Sequence, residues 1–186
     1  MSVIFVAGTD TGVGKTVITR LLAHHLSTRG HKVATQKWVE TGVVKGPAVY
    51  SFKLATSPHL SARCEGRTIN IKKIKDSLKK LSKKHDFVVV EGTGGLLVPI
   101  TEKTLFIDLV KELNIPVLLV AANRLGAINH TLLSVEALKR RKVKLLGVVF
   151  NSISKKENAL ISKDNPRIVK KFIGKVPIWI NGYRKT

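Results

Sequence analysis

A single cysteine, Cys64, stands in 186 residues, so no internal disulfide can form and a reducing compartment suits the chain. Aromatic residues make up only 5%, do not interleave with the basic ones, and accompany no helix-turn-helix, zinc-ligand or RNA-binding pattern. Acids are scarce: 12 Asp and Glu face 33 Lys and Arg, for a formal charge of +21. No apolar run approaches the roughly 18 to 20 residues a helical membrane span needs, and the short run after Met1 lacks the basic start of a secretory leader. These absences exclude a disulfide scaffold and a helical membrane anchor, and predict a cytosolic protein.

The surplus of positive charge gives the surface a strong field, yet its densest run reads as ordinary amphipathic helix. Between residues 71 and 84, Ile71, Ile74, Leu78 and Leu81 recur at spacings of three and four with lysines between them. Nucleic acid is therefore not an expected partner, and anionic small molecules are the natural beneficiaries of the field. A hydrophobic content of 44% is enough for one sizeable core, so residues 1–186 are expected to form one domain.

Apolar runs alternate with helical patterns throughout, the signature of an α/β fold with a doubly wound, mostly parallel sheet. The pattern predicts strands at residues 3–7, 32–37, 87–91, 117–121, 145–150 and 175–179, and helices at 15–29, 71–84, 105–113, 128–139 and 166–172. Residues 42–58 carry no clear pattern. Ligands of such sheets collect at the carboxyl ends of the strands, so the residues that follow each strand hold the chemistry.

After the first strand comes GTDTGVGKT, residues 8–16, leading straight into a helix. Glycines at a strand-to-helix turn leave backbone N–H groups pointing outward with the helix dipole behind them, a cradle for phosphate. Gly12 and Gly14 allow close backbone approach, Lys15 can bridge β- and γ-phosphate oxygens, and the Thr16 hydroxyl can ligate Mg²⁺. Gly8 lies one residue earlier than the common G-x-x-x-x-G-K-[ST] spacing requires. Lys37 closes the second strand, where an ammonium can stabilise a transferring phosphoryl group or an anionic nucleophile. Glu91, followed by Gly92, Thr93 and Gly94, closes the third and is placed to bind Mg²⁺ directly or through water. The segment 123–130 opens a helix whose free N–H groups suit a carboxylate, and Asn151, closing the fifth strand, is placed to read a base edge.

Together these segments resemble the dethiobiotin synthetase family. GTDTGVGKT, Lys37 with Thr41 and Gly42, residues 57–62 with Glu65 and Gly66, VVVEGTGG (88–95), RLGAINH (124–130), Asn151 and residues 174–177 carry the likeness from the N-terminus to about Trp179, and the longer loop spacing is the family's own. The resemblance implies a P-loop NTPase fold and an ATP-dependent ligase of biotin synthesis. There 7,8-diaminononanoate takes up CO₂ (bicarbonate) as a carbamate, the carbamate attacks the γ-phosphate of Mg·ATP, and the second amine closes the ureido ring with loss of phosphate.

By the same resemblance, Lys15, Lys37 and Thr11 are catalytic. ATP is bound by Gly12, Val13, Gly14, Lys15, Thr16, Val17, Glu91, Gly92, Thr93, Gly94, Asn151, Val176, Pro177 and Ile178. The diamine is bound by Thr11, Lys37 and Thr41, with Gly126, Ala127, Ile128 and Asn129 holding its carboxylate across a homodimer interface. Thr16, Glu91 and Asp10 are the expected Mg²⁺ ligands.

The chain departs from the family where residues 38–56 are short and lack an aspartate that commonly joins the metal, there being no acid between Glu40 and Glu65. Asp10, Glu40 or water is left to supply that oxygen. A switch ATPase of the partition or septum-positioning kind, acting on DNA or membrane, is the alternative that +21 suits, but such proteins carry a second lysine early in the loop where this chain has Asp10. A cobyrinate-type amidotransferase domain shares the loop, but no glutaminase segment follows.

Overall fold

A computed structural model describes residues 2–155 and 157–183. In chain order the elements are β1 (Ser2–Gly8), α1 (Lys15–Ser27), β2 (Val33–Lys37), β3 (Val39–Thr41), β4 (Tyr50–Phe52), α2 (Pro58–Cys64), α3 (Ile71–Ser82), β5 (Phe87–Gly95), β6 (Pro99–Thr101), β7 (Thr104–Leu105), α4 (Phe106–Glu112), β8 (Val117–Ala122), α5 (Ala127–Arg140), β9 (Leu145–Asn151), α6 (Ala159–Ile173) and β10 (Ile178–Asn181). Six strands form one sheet in the order β10-β9-β8-β1-β5-β2. Every pairing in it is parallel. The unbroken apolar character of β5, β8 and β9 follows, because a parallel strand covered on both faces has no solvent side to mark with polar residues. All six residues of β8 are buried.

The two faces are covered unequally. Val6, Val89, Leu118, Val120 and Val149 meet Val13 and Ile18 on the side of the phosphate loop and α1. Phe5, Val88, Val90, Leu119, Val148 and Phe150 point to the other side and join a larger core with residues of α3, α4, α5 and α6. Trp38, fully buried, packs on Phe5 and Phe106 with ring centroids 5.0 and 6.3 Å away and anchors the chain between Lys37 and Glu40. No helix among the described residues is long and apolar enough to cross a membrane.

Two expected element starts move by three residues or more. Helix α6 begins at Ala159, well before the expected residue 166, because the Asn158 side chain caps its first turn, accepting from the Leu160 and Ile161 amides. Pro166 then lies inside the helix and leaves the Ser162 carbonyl without its usual partner; Asn123 Nδ2 donates to that carbonyl at 2.9 Å. The last strand starts at Ile178 rather than residue 175. The unpatterned stretch 42–58 contains β4 and the beginning of α2, and β4 pairs with β3 as a small parallel sheet of its own.

Candidate active site

The carboxyl edge of the sheet gathers the expected residues from three neighbouring strands. β1 ends at Gly8, β2 at Lys37, and β5 carries Glu91, which the register sets beside both Val6 and Lys37. Between Gly8 and Lys15 the loop folds back on the sheet: Val13 is buried beneath it, and the Thr9 amide donates to the Val120 carbonyl at 2.9 Å. Gly14, at φ 90°, caps α1 in the left-handed region, and a Cβ there would also come within 2.0 Å of Asn151 Nδ2. Glycine is thus required both by conformation and by the close passage of Asn151.

One cavity of about 310 Å³ is lined by Thr11, Gly12, Gly14, Lys15, Thr16, Lys37, Thr41 and residues 91–94, together with Val39 and Glu40. Lys15 is buried, 8% exposed, and its ammonium donates to the Asp10 carbonyl at 3.1 Å. Burial lowers its pKa; Glu91 and Asp10 oppose that and the Lys37 charge reinforces it. Burial also works against the Lys37 charge, but its hydrogen bond to Glu40 and the nearby Glu91 outweigh it and hold that pKa above the ordinary lysine value. The Lys37 ammonium lies 2.8 Å from Glu40 Oε1 and 3.4 Å from Glu91 Oε1, and the Thr16 hydroxyl donates to Glu91 Oε1 at 2.6 Å. Thr93 Oγ1 donates to the Val39 carbonyl and ties β5 to β3.

Hydroxyl and carboxylate oxygens are the donors that Mg²⁺ prefers, usually one or two carboxylates with phosphates and water completing the shell. Thr16 and Glu91 fit that description. Among the described residues no cluster of three or more His, Cys, Asp or Glu side chains could hold a metal by itself.

Other expected residues stand apart from this cavity. The Asp10 carboxylate accepts from the Thr11 amide at 2.7 Å and faces Arg124 at 3.9 Å, lining a neighbouring trough instead. Val17 is exposed on α1. Asn151, 3% exposed, does not point at an open base site: its Nδ2 donates to the Val13 carbonyl at 2.9 Å and its Oδ1 accepts from Asn181 Nδ2 at 2.7 Å. The register places Asn181 beside Asn151 and Ile178 beside Val148, so Val176, Pro177 and Ile178 lie at the foot of β10, about 10 Å or more along the sheet from Asn151. Asn181 is the residue that inspection of the sequence overlooks; ending the edge strand at the carboxyl side of the sheet is the signal that marks it. Gly126, Ala127, Ile128 and Asn129 open α5 outside the cavity, next to Leu125, which is 83% exposed.

A glycine-rich loop and a strand-end carboxylate meeting at the carboxyl edge of a parallel sheet define a P-loop nucleotide-binding protein. Solved structures agree at the level of fold: a structure of pNOB8 ParA bound to nonspecific DNA (TM-score 0.64, 12% identity, 99% of this chain and 85% of that one), and the septum site-determining protein MinD of Pyrococcus horikoshii with Mg-ADP (0.57, 16%, 95% and 79%). A family described as an AAA domain matches residues 44–179. The ATP-dependent dethiobiotin synthetase BioD 2 of Haemophilus influenzae is 37% identical, the alignment covering 88% of this chain and 97% of that protein. The ATP-dependent dethiobiotin synthetase BioD of Chlorobaculum tepidum is 40% identical over 80% of this chain and 72% of its own length. The chain belongs to the dethiobiotin synthetase family, enzymes that form C–N bonds with the use of ATP.

Proposed function

We propose that this chain converts 7,8-diaminononanoate, CO₂ and ATP to dethiobiotin. One amine adds CO₂ to become a carbamate. A carbamate oxygen attacks the γ-phosphorus, the P–O bond to ADP breaks, and ADP leaves with the electron pair. The second amine then attacks the carbamoyl carbon, inorganic phosphate departs, and the ureido ring is closed.

The observation that carries this reading is the convergence of Lys15 and Lys37 on one cavity with Thr11, Thr16, Thr41 and Glu91. Carbamate and triphosphate are both anions, and two ammonium groups held in place between them offset their repulsion and the charge that develops during transfer. Thr11 and Thr41 supply hydroxyls for the carbamate or diamine end. Bound through Thr16 and Glu91, Mg²⁺ would act as a Lewis acid on the phosphates.

The hydrocarbon of the diamine fits the trough of about 530 Å³ that starts at Thr9 and Thr11 and runs between residues 95–99 and α5, past Leu96, Leu97, Val98 and Leu133. Leu97 and Leu133 are 51% and 56% exposed, so one wall of that trough is open. A second copy would close it and bring the start of its own α5 to the substrate carboxylate, which supports a reading of the working unit as a homodimer of one-domain subunits acting in the cytoplasm.

Incubation with diaminononanoate, bicarbonate, Mg²⁺ and ATP should yield dethiobiotin by mass, at a rate about 10²-fold or more lower for Lys15→Ala or Lys37→Ala. Turnover of ATP without dethiobiotin would overturn the substrate assignment.

A further inference from the structure

Glu40 brings a second carboxylate into the phosphate cavity, and of the three candidate sources of the oxygen that the missing aspartate would supply it is the one the cavity contains. It occupies the middle of β3, in register with Ser51 of β4. Its Oε1 is 2.8 Å from the Lys37 ammonium, which is also 3.4 Å from Glu91 Oε1, and that same Glu91 oxygen accepts from the Thr16 hydroxyl at 2.6 Å. One cation, the ammonium, therefore already bridges the two acids beside the threonine. The second oxygen lies against the turn between β3 and β4: a Cβ on Gly46 would come within 2.3 Å of Glu40 Oε2 and 3.2 Å of Ser51 Oγ, so a side chain there would push the carboxylate aside.

We propose that Glu40 is the second carboxylate ligand of the divalent cation that enters with the nucleotide, and that Lys37 gives up its place between the two acids when that cation arrives. The inference rests on the cavity being the Mg·ATP site. Two carboxylates that contact one nitrogen repel each other unless a positive charge lies between them, and a divalent ion meets that need with twice the charge of an ammonium. The set Thr16, Glu91 and Glu40 is all oxygen and includes two carboxylates, as many as Mg²⁺ commonly takes from protein beside phosphate. Asp10 does not compete, since its carboxylate is turned to the Thr11 amide and to Arg124. The exchange has a functional consequence: the cation releases the Lys37 ammonium toward the anionic reactants, so metal arrival and the arming of Lys37 are one event.

Electron paramagnetic resonance of Mn²⁺, titrated into the protein saturated with ADP, tests this without turnover. Glu40→Gln should weaken Mn²⁺ binding about tenfold or more, Gly46→Ala should move it the same way, and Asp10→Asn should leave it unchanged. Lys37→Met should leave Mn²⁺ binding equal or tighter, because a competing cation is gone. ADP affinity measured in EDTA should be the same for wild type and Glu40→Gln, which reports an intact loop. Unchanged Mn²⁺ affinity in Glu40→Gln would reduce Glu40 to an ion-pair partner of Lys37 and overturn the proposal. If instead wild type binds ADP with no Mn²⁺ response at all, the Mg·ATP reading of the cavity fails, and the Glu40 assignment with it.

Discussion

At one end of the sheet's carboxyl edge, β2, β3, β5 and the first turn of α1 deliver two lysines, two carboxylates and a threonine hydroxyl into a shared cavity. At the other end, β9 and β10 deliver Asn151 and Asn181, whose side chains bond to each other and to the Val13 carbonyl. Beyond them the edge turns apolar, with Trp179 and Ile180 50% and 62% exposed. The contrast teaches a division of labour. Charge at the phosphate end is held ready for a ligand, whereas polarity at the base end is already spent on fixing the loop. Binding should therefore depend steeply on the phosphate half and weakly on the base half.

The largest break in that comparison comes from Lys37. Lys37→Met removes the ammonium that both acids share, and turnover should fall about 10²–10³-fold, the loss typical of one electrostatic donor to a transferring group. ADP affinity should change far less, because Lys15 and the loop amides remain. Single-turnover kinetics beside ADP titration separates the two. An equal loss in both would make Lys37 a binding residue only.

Asn151 tests the other half through stability. Asn151→Ala leaves the buried Val13 carbonyl without its partner, at a cost of about 1–3 kcal/mol, readable as a shift in the denaturant midpoint. Because the loop loses its tether, affinity for every triphosphate should fall together. A loss confined to ATP would show that Asn151 reads the base after all.

The two lysines also differ in pH response. Lys15, whose pKa burial lowers, is protonated more readily in the unfolded chain. It subtracts stability below its folded pKa and ceases to do so as pH rises toward the ordinary lysine value of about 10.4. Lys37 is raised by Glu40 and Glu91 against the pull of burial, so its contribution is complete below that ordinary value and disappears only as pH climbs through its higher folded pKa. Hence the alkaline loss of ADP affinity belongs to Lys15 and should begin before a free lysine titrates, steepening toward about tenfold per pH unit. Lys15→Arg, which keeps its charge, should remove that limb even if it binds more weakly overall; Lys37→Arg should leave it in place.

The phosphate half was legible because its signals are local. A glycine-rich turn, a lysine at a strand end and an acid before glycines each declare themselves within a few residues, and β1, β5, β8 and β9 open on apolar runs because both their faces are largely buried. The base half was not, because its bonds join distant residues. Asn151 meets Val13 across 138 positions, and only the register of β9 with β10 brings Asn181 beside it. Pro166 misled for the same reason: its place inside α6 depends on Asn123 reaching the freed Ser162 carbonyl from another strand end. Glu40 falls between these cases. Its proximity to Lys37 is local, but its approach to Glu91 follows from the pairing of β2 with β5.

The smallest effect is the most direct measure of the contrast between the two ends. With Asn151 Nδ2 on Val13 and Asn151 Oδ1 on Asn181, the Asn151 amide is engaged at both ends, so exchanging ATP for ITP, which lacks the exocyclic amino group, should alter kcat/KM by no more than one net hydrogen bond, about 2–10-fold. A site built around that amino group would discriminate by orders of magnitude more, because its own buried acceptor would be left unpaired. Asn181→Ala sharpens the comparison: it frees Asn151 Oδ1 to accept from an amino group while leaving Nδ2 on Val13, so the ATP to ITP ratio should rise severalfold with little change for ADP in the phosphate half. A wild-type ratio above about 100 would mean that the two asparagines part to receive the base, since that exceeds what one net hydrogen bond can supply.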